Sequence, residues 1–369
     1  MKTGILTTIN TNIGDDFIRI GIENVINSLR RGKVTKFTYV NKHHPESILT
    51  PKNIFQTILN LPSFKGKQRF INLFYSNFNH SFNIFKKQDL IIQSGAPVLW
   101  PNCFNSEWNI PFWYETAGKL HNQIPVLNLA AGSCYPWENQ KGFLDERELI
   151  FAKEIGSFCS LTTTRDKLAH KLFNEADTAN HLIPCSAFLV NSEFKNTETG
   201  KYILINYMHA GGHFDWNQHI DSRLWENTMK EVILTLRQQH EVRFICHNQK
   251  EYDLAAALNP EIKIHFPKNI EEYMECIKNA KAGINNRMHA SVAMASFGIP
   301  SISVCTDTRL LMLDLLGLPT FYVKNVNAEE LISTINNCLE NSVSEKSRLF
   351  ELKRNTFEKY RELLQPICK

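Results

Sequence analysis

The sequence predicts an α/β protein with two Rossmann-like, doubly wound domains that face each other across a cleft. In both halves of the chain, β-rich runs alternate with amphipathic helical patterns, which is typical of parallel sheets covered by helices. The alternation is interrupted at residues 191–200, a polar, turn-rich segment that we interpret as a linker. The predicted domains are therefore residues 1–190 and 201–345, and residues 346–369 form a C-terminal helix that crosses back to the first domain.

Composition narrows the class of protein. With 369 residues, of which 43% are hydrophobic and 21% charged, the chain is long enough for two globular domains. Its formal net charge of +4 is too small, and its cations are too dispersed, to indicate a nucleic-acid partner. The nine cysteines lack a paired spacing, and no apolar run is long enough for a signal peptide or a spanning helix. We therefore expect a cytoplasmic protein with free thiols.

A small basic cluster is the feature of the sequence that is relevant to membrane binding. It consists of Lys65, Lys67, Arg69, Lys86 and Lys87. We favour a solvated surface, because lipid-binding clusters usually lie directly beside a membrane anchor. Peripheral contact with anionic lipid of the inner membrane is the alternative.

The N-terminal pattern is a strand, a turn and a helix. Residues 4–9 are β-rich, residues 10–14 form a polar turn, and the apolar residues that follow share one helical face. Asp15 or Asp16 is the predicted N-cap. Ligands of doubly wound domains bind beyond the carboxyl ends of the strands, so Asn12 and Asp15 are candidate binding residues. The turn lacks the repeated glycines of a dinucleotide fingerprint, and we expect no nicotinamide cofactor.

Arg165 is the candidate cation of the first half. Residues 158–164 are predicted to form a strand, and Arg165 then projects from its carboxyl end at the start of an amphipathic helix. In that position Arg165 can meet an anionic ligand. The alternative is a structural salt bridge with Asp166 or another neighbouring acid.

Six aromatic residues near the middle of the first half follow neither a helical nor an alternating period. They are Trp100, Phe104, Trp108, Phe112, Trp113 and Tyr114. Aromatic side chains that are not patterned toward a core can present flat faces to sugar rings. Trp108 and Trp113 are therefore candidates for a platform that binds an acceptor sugar. A packed lid or a domain-interface cluster is the equally weighted alternative.

The first loop of the second half contains Gly212 and His213, just after a strand predicted at residues 202–206. A phosphate or nucleotide group binds at this position in such domains, so both residues are candidate substrate contacts. His209, His213 and His219 lack the spacing and the supporting ligands of a zinc site, and we expect no metal.

Residues 281–309 contain the strongest candidates, because a strand, a turn, a small-residue helix and another strand follow one another there. Arg287 and His289 lie at the turn, where a helix N-terminus favours an anion. Arginine can hold a carboxylate or phosphate with two hydrogen bonds, and histidine can carry a proton near neutral pH. Asp307 lies in the turn after the second strand and is a further candidate substrate contact. The alternative is that Arg287 caps a carbonyl group and His289 is a core residue.

This pattern resembles the C-terminal signature of the polysaccharide pyruvyl transferase family. The residues that carry the resemblance are Arg287, His289, the Gly-Ile-Pro sequence at 298–300 and Asp307. The Asn-x-Gly-Asp turn at residues 12–15 resembles the first motif of the same family. Two facing Rossmann-like domains would give a GT-B-like glycosyltransferase architecture, which is an inference by analogy of fold.

The middle of the chain resembles the family less closely. The Arg-Asp pair at residues 165–166 is similar to the mid-chain element of the family. Gly95 stands where the family usually has a run of glycines that lets the substrate approach the backbone, and Cys185 stands where it has an Asp.

The resemblance implies an enzyme that transfers a pyruvyl group from phosphoenolpyruvate to two hydroxyls of a sugar, an oligosaccharide or a lipid-linked glycan, and forms a ketal in a cell-surface polysaccharide. Phosphoenolpyruvate would then be a donor substrate and not a cofactor. Arg287 and Arg165 would hold the donor's anionic groups, and His289 would be the general acid. Two alternatives remain open: a glycosyltransferase that uses a nucleotide sugar in the same cleft, and a catalytically silent sugar-binding relative.

Overall fold

The computed structural model describes residues 1–9, 12–30, 33–42, 80–106, 108–195 and 200–368. Lys65, Lys67 and Arg69 of the basic cluster lie outside these residues, as does part of the predicted linker.

The first sheet contains seven parallel strands among the described residues. They are β1 (Lys2–Thr7), β2 (Lys36–Asn41), β3 (Leu90–Ser94), β4 (Pro97–Leu99), β5 (Val126–Ser133), β6 (Leu161–Thr164) and β7 (His181–Leu182). Their order is β2-β1-β3-β5-β6-β7, and β4 pairs with β5. The order reverses between β1 and β3, which is where doubly wound sheets form a ligand crevice.

The helices associated with this sheet are α1 (Ile13–Leu29), α2 (His80–Phe85), α3 (Gly118–Leu120), α4 (Glu146–Phe158) and α5 (Lys167–Glu175). Short 3₁₀ turns lie at Cys103–Asn105 and Ser186–Leu189, and a π-helix lies at Ile110–Ala117.

The N-terminal helix α1 forms as its apolar periodicity predicts, because Phe17, Ile18, Ile22, Val25 and Ile26 are all buried. Its predicted N-cap is wrong.

Asn12 caps α1, and its side chain accepts a hydrogen bond from the backbone N–H of Gly14. Asp15 lies inside the first turn, where its carboxylate is buried within 3.5 Å of Lys42 Nζ. Asp15 therefore forms a buried ion pair and does not cap the helix.

The second sheet contains six parallel strands among the residues described. They are β8 (Tyr202–Asn206), β9 (Val242–Ile245), β10 (Ile264–His265), β11 (Ala280–Asn285), β12 (Ser301–Cys305) and β13 (Thr320–Tyr322). Their order, β10-β9-β8-β11-β12-β13, is that of a Rossmann sheet, with the reversal between β8 and β11. The two parallel sheets confirm the predicted α/β class.

Seven further helices follow in the described part of the second half. They are α6 (Ser222–Leu236), α7 (Gln249–Leu258), α8 (Ile270–Lys278), α9 (Met288–Ser296), α10 (Leu311–Asp314), α11 (Ala328–Glu340) and α12 (Ser342–Leu364). Short 3₁₀ turns lie at Thr308–Leu310 and Val323–Asn325. Helix α9 is buried almost throughout because its residues are small and apolar.

The two halves of the chain share a hydrophobic cluster. It includes Ile18 and Ile22 of α1, Val292 of α9 and Tyr360 of α12. The Tyr360 hydroxyl also donates a 3.2 Å hydrogen bond to the carbonyl oxygen of Pro184, so α12 contacts the first half directly. Because the shared hydrophobic cluster is closely packed, it fixes the relative position of the two sheets at this end of the cleft.

A second junction lies on the other side of the cleft. Residues 135–137 and 306–308 run alongside each other: Thr308 N donates to the carbonyl of Tyr135 at 3.0 Å, and Trp137 N donates to that of Thr306 at 3.2 Å. The domain bounds 1–190, 201–345 and 346–369 stay predictions. Within the described residues, no helix has both the length and the apolar character needed to cross a membrane.

Candidate functional site

The candidate site is the cleft between the carboxyl ends of the two sheets. The residues that line it follow strands β1, β3, β6, β8, β9, β11 and β12. They are Asn12, Gly14, Asp15, Pro97, Arg165, Met208, His213, His247, Asn286, Arg287, Met288, His289, Arg309 and Met312. Both sheets contribute to the cleft, which lies where the strand order of each sheet reverses. Parallel α/β sheets bind ligands at such points.

His289 and Arg165 meet at the centre of this cleft. Arg165 Nη1 lies 3.1 Å from His289 Nε2. A guanidinium can only donate, so Nε2 accepts and the ring proton is on Nδ1. Burial and the Arg165 charge lower the pKa of His289 well below its usual value, although Asp15 opposes them. His289 is therefore neutral at neutral pH in this state of the site.

Glycine at position 14 makes the approach of His289 possible. A Cβ atom added to Gly14 would lie 2.6 Å from His289 Nδ1, closer than real Cβ contacts. The N-terminal turn of α1 and the N-terminal turn of α9 thus touch across the cleft. The two family-like motifs, far apart in the sequence, form one structure here.

Arg165 is buried and forms no salt bridge among the described residues. Its Nη2 group has no hydrogen-bond partner there. Asp166, the predicted alternative partner, instead accepts hydrogen bonds from Ser133 and from the backbone N–H of Ala169. Burial raises the pKa of the neighbouring Cys185 thiol, so this residue does not balance the Arg165 charge.

Arg287 is held by a buried carboxylate. Its Nε and Nη2 groups donate to Glu251 Oε1 at 2.9 and 2.6 Å. Burial alone would raise the pKa of Glu251, but His247, Arg287 and a backbone hydrogen bond lower it. Asn206 Nδ2 also donates to Glu251, and Asn206 Oδ1 accepts from the Arg287 backbone. This network fixes Arg287 with about a fifth of its side chain exposed, at 18%.

Asp307 and Arg309 form a similar unit on the next strand. Asp307 is fully buried, and its two carboxylate oxygens accept from Arg309 Nε at 2.8 Å and Nη2 at 2.6 Å. Arg309 is the member that lines the cleft. Asp307, which the sequence analysis selected as a substrate contact, lies behind it and orients it.

Two neutral histidines complete the polar lining. Burial lowers the pKa of His247 to about 4, and its Nε2 pairs with the Tyr273 hydroxyl at 2.6 Å. Although His213 is exposed, desolvation and the charges of Arg287 and Arg309 lower its pKa to about 4. In both cases desolvation, with a smaller contribution from the nearby arginines, keeps the imidazole neutral.

The structure thus brings six of the selected residues to the cleft: Asn12, Asp15, Arg165, His213, Arg287 and His289. Gly95 and Gly212 are not part of its lining. Gly95 has a left-handed φ of 59°, and a Cβ there would meet the Ile18 side chain; a Cβ on Gly212 would meet Thr306. These two glycines serve close packing and do not contact the cleft.

The prediction that Trp108 and Trp113 form an acceptor platform is wrong. Trp108 is 3% exposed and Trp113 is fully buried, in a core cluster on the far side of the first sheet. Trp113 follows Phe112 in the π-helix, with ring centroids 4.8 Å apart. A buried ring has no face to offer a sugar.

The sequence analysis missed Arg309, Glu251 and Lys42. The signals were weak but present: Arg309 follows Asp307 by two residues, and Glu251 follows the N-cap Asn248 by three, which is the spacing of a capping box. Lys42 follows β2 at the same sheet edge as Asp15. No cluster of three or more His, Cys, Asp or Glu side chains suited to a metal ion is found in the described part of the chain.

The order of these motifs matches a known family. The model of the family described as "Polysaccharide pyruvyl transferase" matches residues 12–307, well over half of the chain. The chain belongs to the polysaccharide pyruvyl transferase family. Membership places it among transferases, and the matched segment includes each cleft arginine except Arg309. No curated protein matches the chain.

Comparison with solved structures shows that this protein has a GT-B-like fold. UDP-GlcNAc 2-epimerase from Neisseria meningitidis, bound to UDP-GlcNAc, aligns with a TM-score of 0.57 at 11% identity over 99% of both chains. A putative UDP-N-acetylglucosamine 2-epimerase from Listeria monocytogenes aligns with a TM-score of 0.56 at 10% identity, over 95% of this chain and 90% of that one. The enzyme from Methanocaldococcus jannaschii, in complex with UDP-GlcNAc and UDP, gives 0.51 at 17% identity over 92% and 93%. At these identities the likeness concerns the fold alone.

Proposed function

We propose that this family member transfers the pyruvyl group of phosphoenolpyruvate to two hydroxyls of one sugar, as a cyclic ketal, during cell-surface polysaccharide synthesis. The observation that carries the proposal is the convergence of Arg165, Arg287 and Arg309 on a cleft with His289 at its centre. The acceptor is a sugar, an oligosaccharide or a lipid-linked glycan. The reaction would take place in the cytoplasm, with peripheral contact to the inner membrane if the acceptor is lipid-linked.

Phosphoenolpyruvate fits the charge of the cleft. It carries a carboxylate and a phosphate, and arginine can bind either group with paired hydrogen bonds. Glu251 and Asp307 already balance two of the arginines and fix their direction. Among the residues that the structure describes, Arg165 has an N–H group without a hydrogen-bond partner and no carboxylate partner, so it supplies the positive charge that a new anion would neutralise.

The chemistry requires a proton donor near the donor's methylene carbon. Protonation of that carbon makes the adjacent carbon electrophilic, and the first sugar hydroxyl adds to it. Inorganic phosphate then leaves by cleavage of the C–O bond, and the second hydroxyl adds to close the ketal. One hydroxyl proton replaces the proton taken up by the methyl group, and the other leaves with phosphate. His289 is the group placed to hold and return the proton.

The resting state of His289 suggests how the acid is switched on. While Arg165 donates to Nε2, the imidazole is neutral and Nε2 is occupied. An anionic donor that draws the Arg165 guanidinium toward itself would remove that hydrogen bond and place negative charge beside the ring. Both changes raise the pKa of His289, so that the imidazolium forms only when the donor is bound.

A glycosyltransferase that uses a nucleotide sugar is the second candidate. The Rossmann strand order of the second sheet favours it, together with the UDP-GlcNAc bound to two of the similarly folded epimerases. Such a ligand would lie at the β8/β11 reversal, with its diphosphate near Arg287. A catalytically silent sugar-binding relative is the third candidate.

Ligand-induced stabilisation separates these candidates. A ligand present at one hundred times its dissociation constant stabilises the folded state by about 2.7 kcal/mol. We expect phosphoenolpyruvate to raise the melting temperature and UDP-GlcNAc to leave it unchanged. Glycan-dependent release of inorganic phosphate from phosphoenolpyruvate would then establish turnover. Stabilisation by UDP-GlcNAc alone would favour the glycosyltransferase, and donor binding without turnover on any glycan would favour the silent relative.

A further inference from the structure

The loop that follows β8 presents aromatic side chains at the edge of the cleft. Phe214 is 42% exposed, although it is a large hydrophobic residue. Its ring contacts His213 edge-on at 4.4 Å between centroids and Trp216 at 5.3 Å. We call Phe214 and Trp216 the loop pair. Because His213 lines the cleft, the loop pair lies one residue outside it.

Arg309 joins the loop pair to the catalytic cleft from another direction. Its guanidinium carbon lies 5.3 Å from the centroid of the Phe214 ring, in a cation–π contact. The same guanidinium is oriented by Asp307 and lines the cleft. A molecule on the Phe214 ring would therefore lie next to a bound donor.

The loop is rigid despite its exposure. Thr306 Oγ1 donates to the carbonyl of Phe214, and Gln218 Nε2 donates to the carbonyl of Thr306 at 2.8 Å. Gln218 is buried and also accepts from the Glu138 backbone of the first half. The exposed Phe214 ring and the half-buried Trp216 ring thus lie in a loop held by buried polar contacts from both halves of the chain, and a binding surface of this kind is preorganised.

The backbone of the loop is strained where it turns the rings outward. Trp216, Asn217 and His219 have φ values of 56°, 55° and 53°, which L side chains rarely adopt. Strain of this kind persists only where surrounding contacts impose it, and it concentrates at ligand clamps. The Trp216 indole N–H is buried and has no hydrogen-bond partner among the described residues. An unmade bond at a strained, exposed loop points to a missing ligand or solvent partner.

The chemistry of the loop suits a carbohydrate. A sugar ring has an apolar face of C–H groups and an edge of hydroxyls, so it needs a flat aromatic surface with polar groups around it. Asp215, Asn217 and His219 are exposed beside the two rings and can exchange hydrogen bonds with hydroxyls. The two rings offer an area about the size of one sugar unit. This area is too small for a stable protein–protein interface.

We propose that Phe214 and Trp216 form the subsite that holds the acceptor sugar, with the sugar ring stacked on Phe214 and its reacting hydroxyls directed past Arg309 into the cleft. The proposal rests on the proposed pyruvyl transfer, and it replaces Trp108 and Trp113 as the acceptor platform. Asp215 and Asn217 form hydrogen bonds at the edge of the ring.

The test is binding of simple glycosides to the full chain, measured by saturation-transfer NMR in the presence of phosphoenolpyruvate. The probes are the methyl glycosides of glucose, galactose, mannose, N-acetylglucosamine and N-acetylmannosamine. At least one should bind, and Phe214→Leu should weaken it about tenfold or more because the aromatic face is lost while the apolar volume remains. Phe214→Tyr should retain binding. Phe266→Ala is the matched control, since Phe266 is 41% exposed and does not line the cleft.

The outcomes separate this inference from the proposed function. If phosphoenolpyruvate stabilises the protein but no probe binds, or if Phe214→Leu binds a probe as well as the native chain does, the subsite is wrong and donor binding stands. If phosphoenolpyruvate gives no stabilisation while a probe binds in a Phe214-dependent manner, the subsite stands and the donor assignment fails. Melting curves of each variant show whether it is folded, and a folded Phe214→Leu variant is expected because the side chain is exposed.

Discussion

Arg165 Nη1 donates a hydrogen bond to His289 Nε2 over 3.1 Å, and this contact links the first sheet to the second at the centre of the cleft. Burial and the arginine charge together lower the pKa of the histidine, and the arginine also occupies Nε2. His289 is therefore neutral at neutral pH in the free protein. Under the proposed function, a bound anion that competes for Arg165 would raise the pKa of His289 and favour its charged form.

The first prediction is proton uptake on donor binding. His289 is neutral in the free protein because its pKa is well below 6.5, and a bound anion raises that pKa. Near neutral pH, binding of phosphoenolpyruvate should therefore take up as much as one proton, and its affinity should fall as the pH rises. Calorimetry in buffers of different ionisation enthalpy measures the uptake. His289→Asn should abolish it and lower turnover by about a hundredfold to ten-thousandfold.

The control for this experiment is His240→Asn, because His240 lies outside the cleft beside Lys281 and its change should affect neither quantity. Native binding without proton uptake, together with an unchanged pH profile of turnover in His289→Asn, would exclude the acid role. A loss of donor affinity without a loss of turnover at saturation would make His289 a binding residue.

The second prediction ranks two arginines. Lysine keeps the charge but loses the planar pair of N–H groups, so both Arg165→Lys and Arg287→Lys should weaken donor binding. The larger effect, about tenfold to a hundredfold, should come from Arg165, because charge-assisted hydrogen bonds are worth roughly 1.5–3 kcal/mol and no carboxylate in the described part of the chain competes for Arg165. Titration of phosphoenolpyruvate measures both affinities.

Arg243→Lys is the matched control for this pair. Arg243 is partly buried, as Arg287 is, and lies 4.1 Å from the Tyr202 ring centroid, but it does not line the cleft. Equal affinities for the native chain and Arg165→Lys would assign Arg165 to structure. A larger loss in Arg287→Lys would show that Arg287 is the principal contact of the donor.

Much of the fold could be predicted from the sequence, because its parallel strands are short apolar runs separated by helices with a clear period of apolar residues. The strand predicted at 202–206 has the bounds that its pattern indicates, and the C-terminal helix predicted at 346–369 forms over Ser342–Leu364. Arg165, Arg287 and His289 were also identifiable, since each follows a predicted strand. Their mutual contact was not, because it depends on how two sheets approach each other.

The prediction of an acceptor platform in the aromatic segment is wrong for a local reason. The absence of a 3.6-residue period leaves an exposed platform and a packed cluster equally open. Residues 110–117 form a π-helix, whose wider turn places side chains at a different spacing. Trp113 can therefore be buried in a segment that shows no helical periodicity. The exposure of Phe214 was not predicted either, because it lies in an irregular loop that has no hydrophobic period to interpret.

The third prediction follows from that burial. Trp113→Ala should lower the free energy of unfolding by about 3–5 kcal/mol, because it empties a packed site in the core. Urea unfolding measures this change. Phe266→Ala, at a surface position of 41% exposure, should change stability by far less. A stable Trp113→Ala variant with reduced glycoside binding would instead restore the acceptor platform at Trp113.

The last prediction concerns Lys353 of α12, which is fully buried and donates to the carbonyl oxygens of Glu193 and Ser296 at 2.6 and 2.9 Å. Burial lowers its pKa to about 7, although Glu193 opposes the shift. Above that value the folded protein has lost this proton, while the unfolded chain keeps it until its ordinary pKa of 10.5. Since the unfolded state then binds more protons, stability should rise with pH across this window, and fall as the pH is lowered toward 7.

The expected rise is about 2 kcal/mol between roughly pH 7 and pH 9, because each pH unit in the window is worth about 1.4 kcal/mol at most. Urea unfolding of the native chain and of Lys353→Met at both pH values measures it, and the variant should lack the rise. Lys359→Met is the control, since Lys359 is exposed on the same helix and should leave the difference intact. The same pH dependence in Lys353→Met and in the native chain would mean that Lys353 stays charged in the folded protein and that its two carbonyl contacts offset the cost of burial.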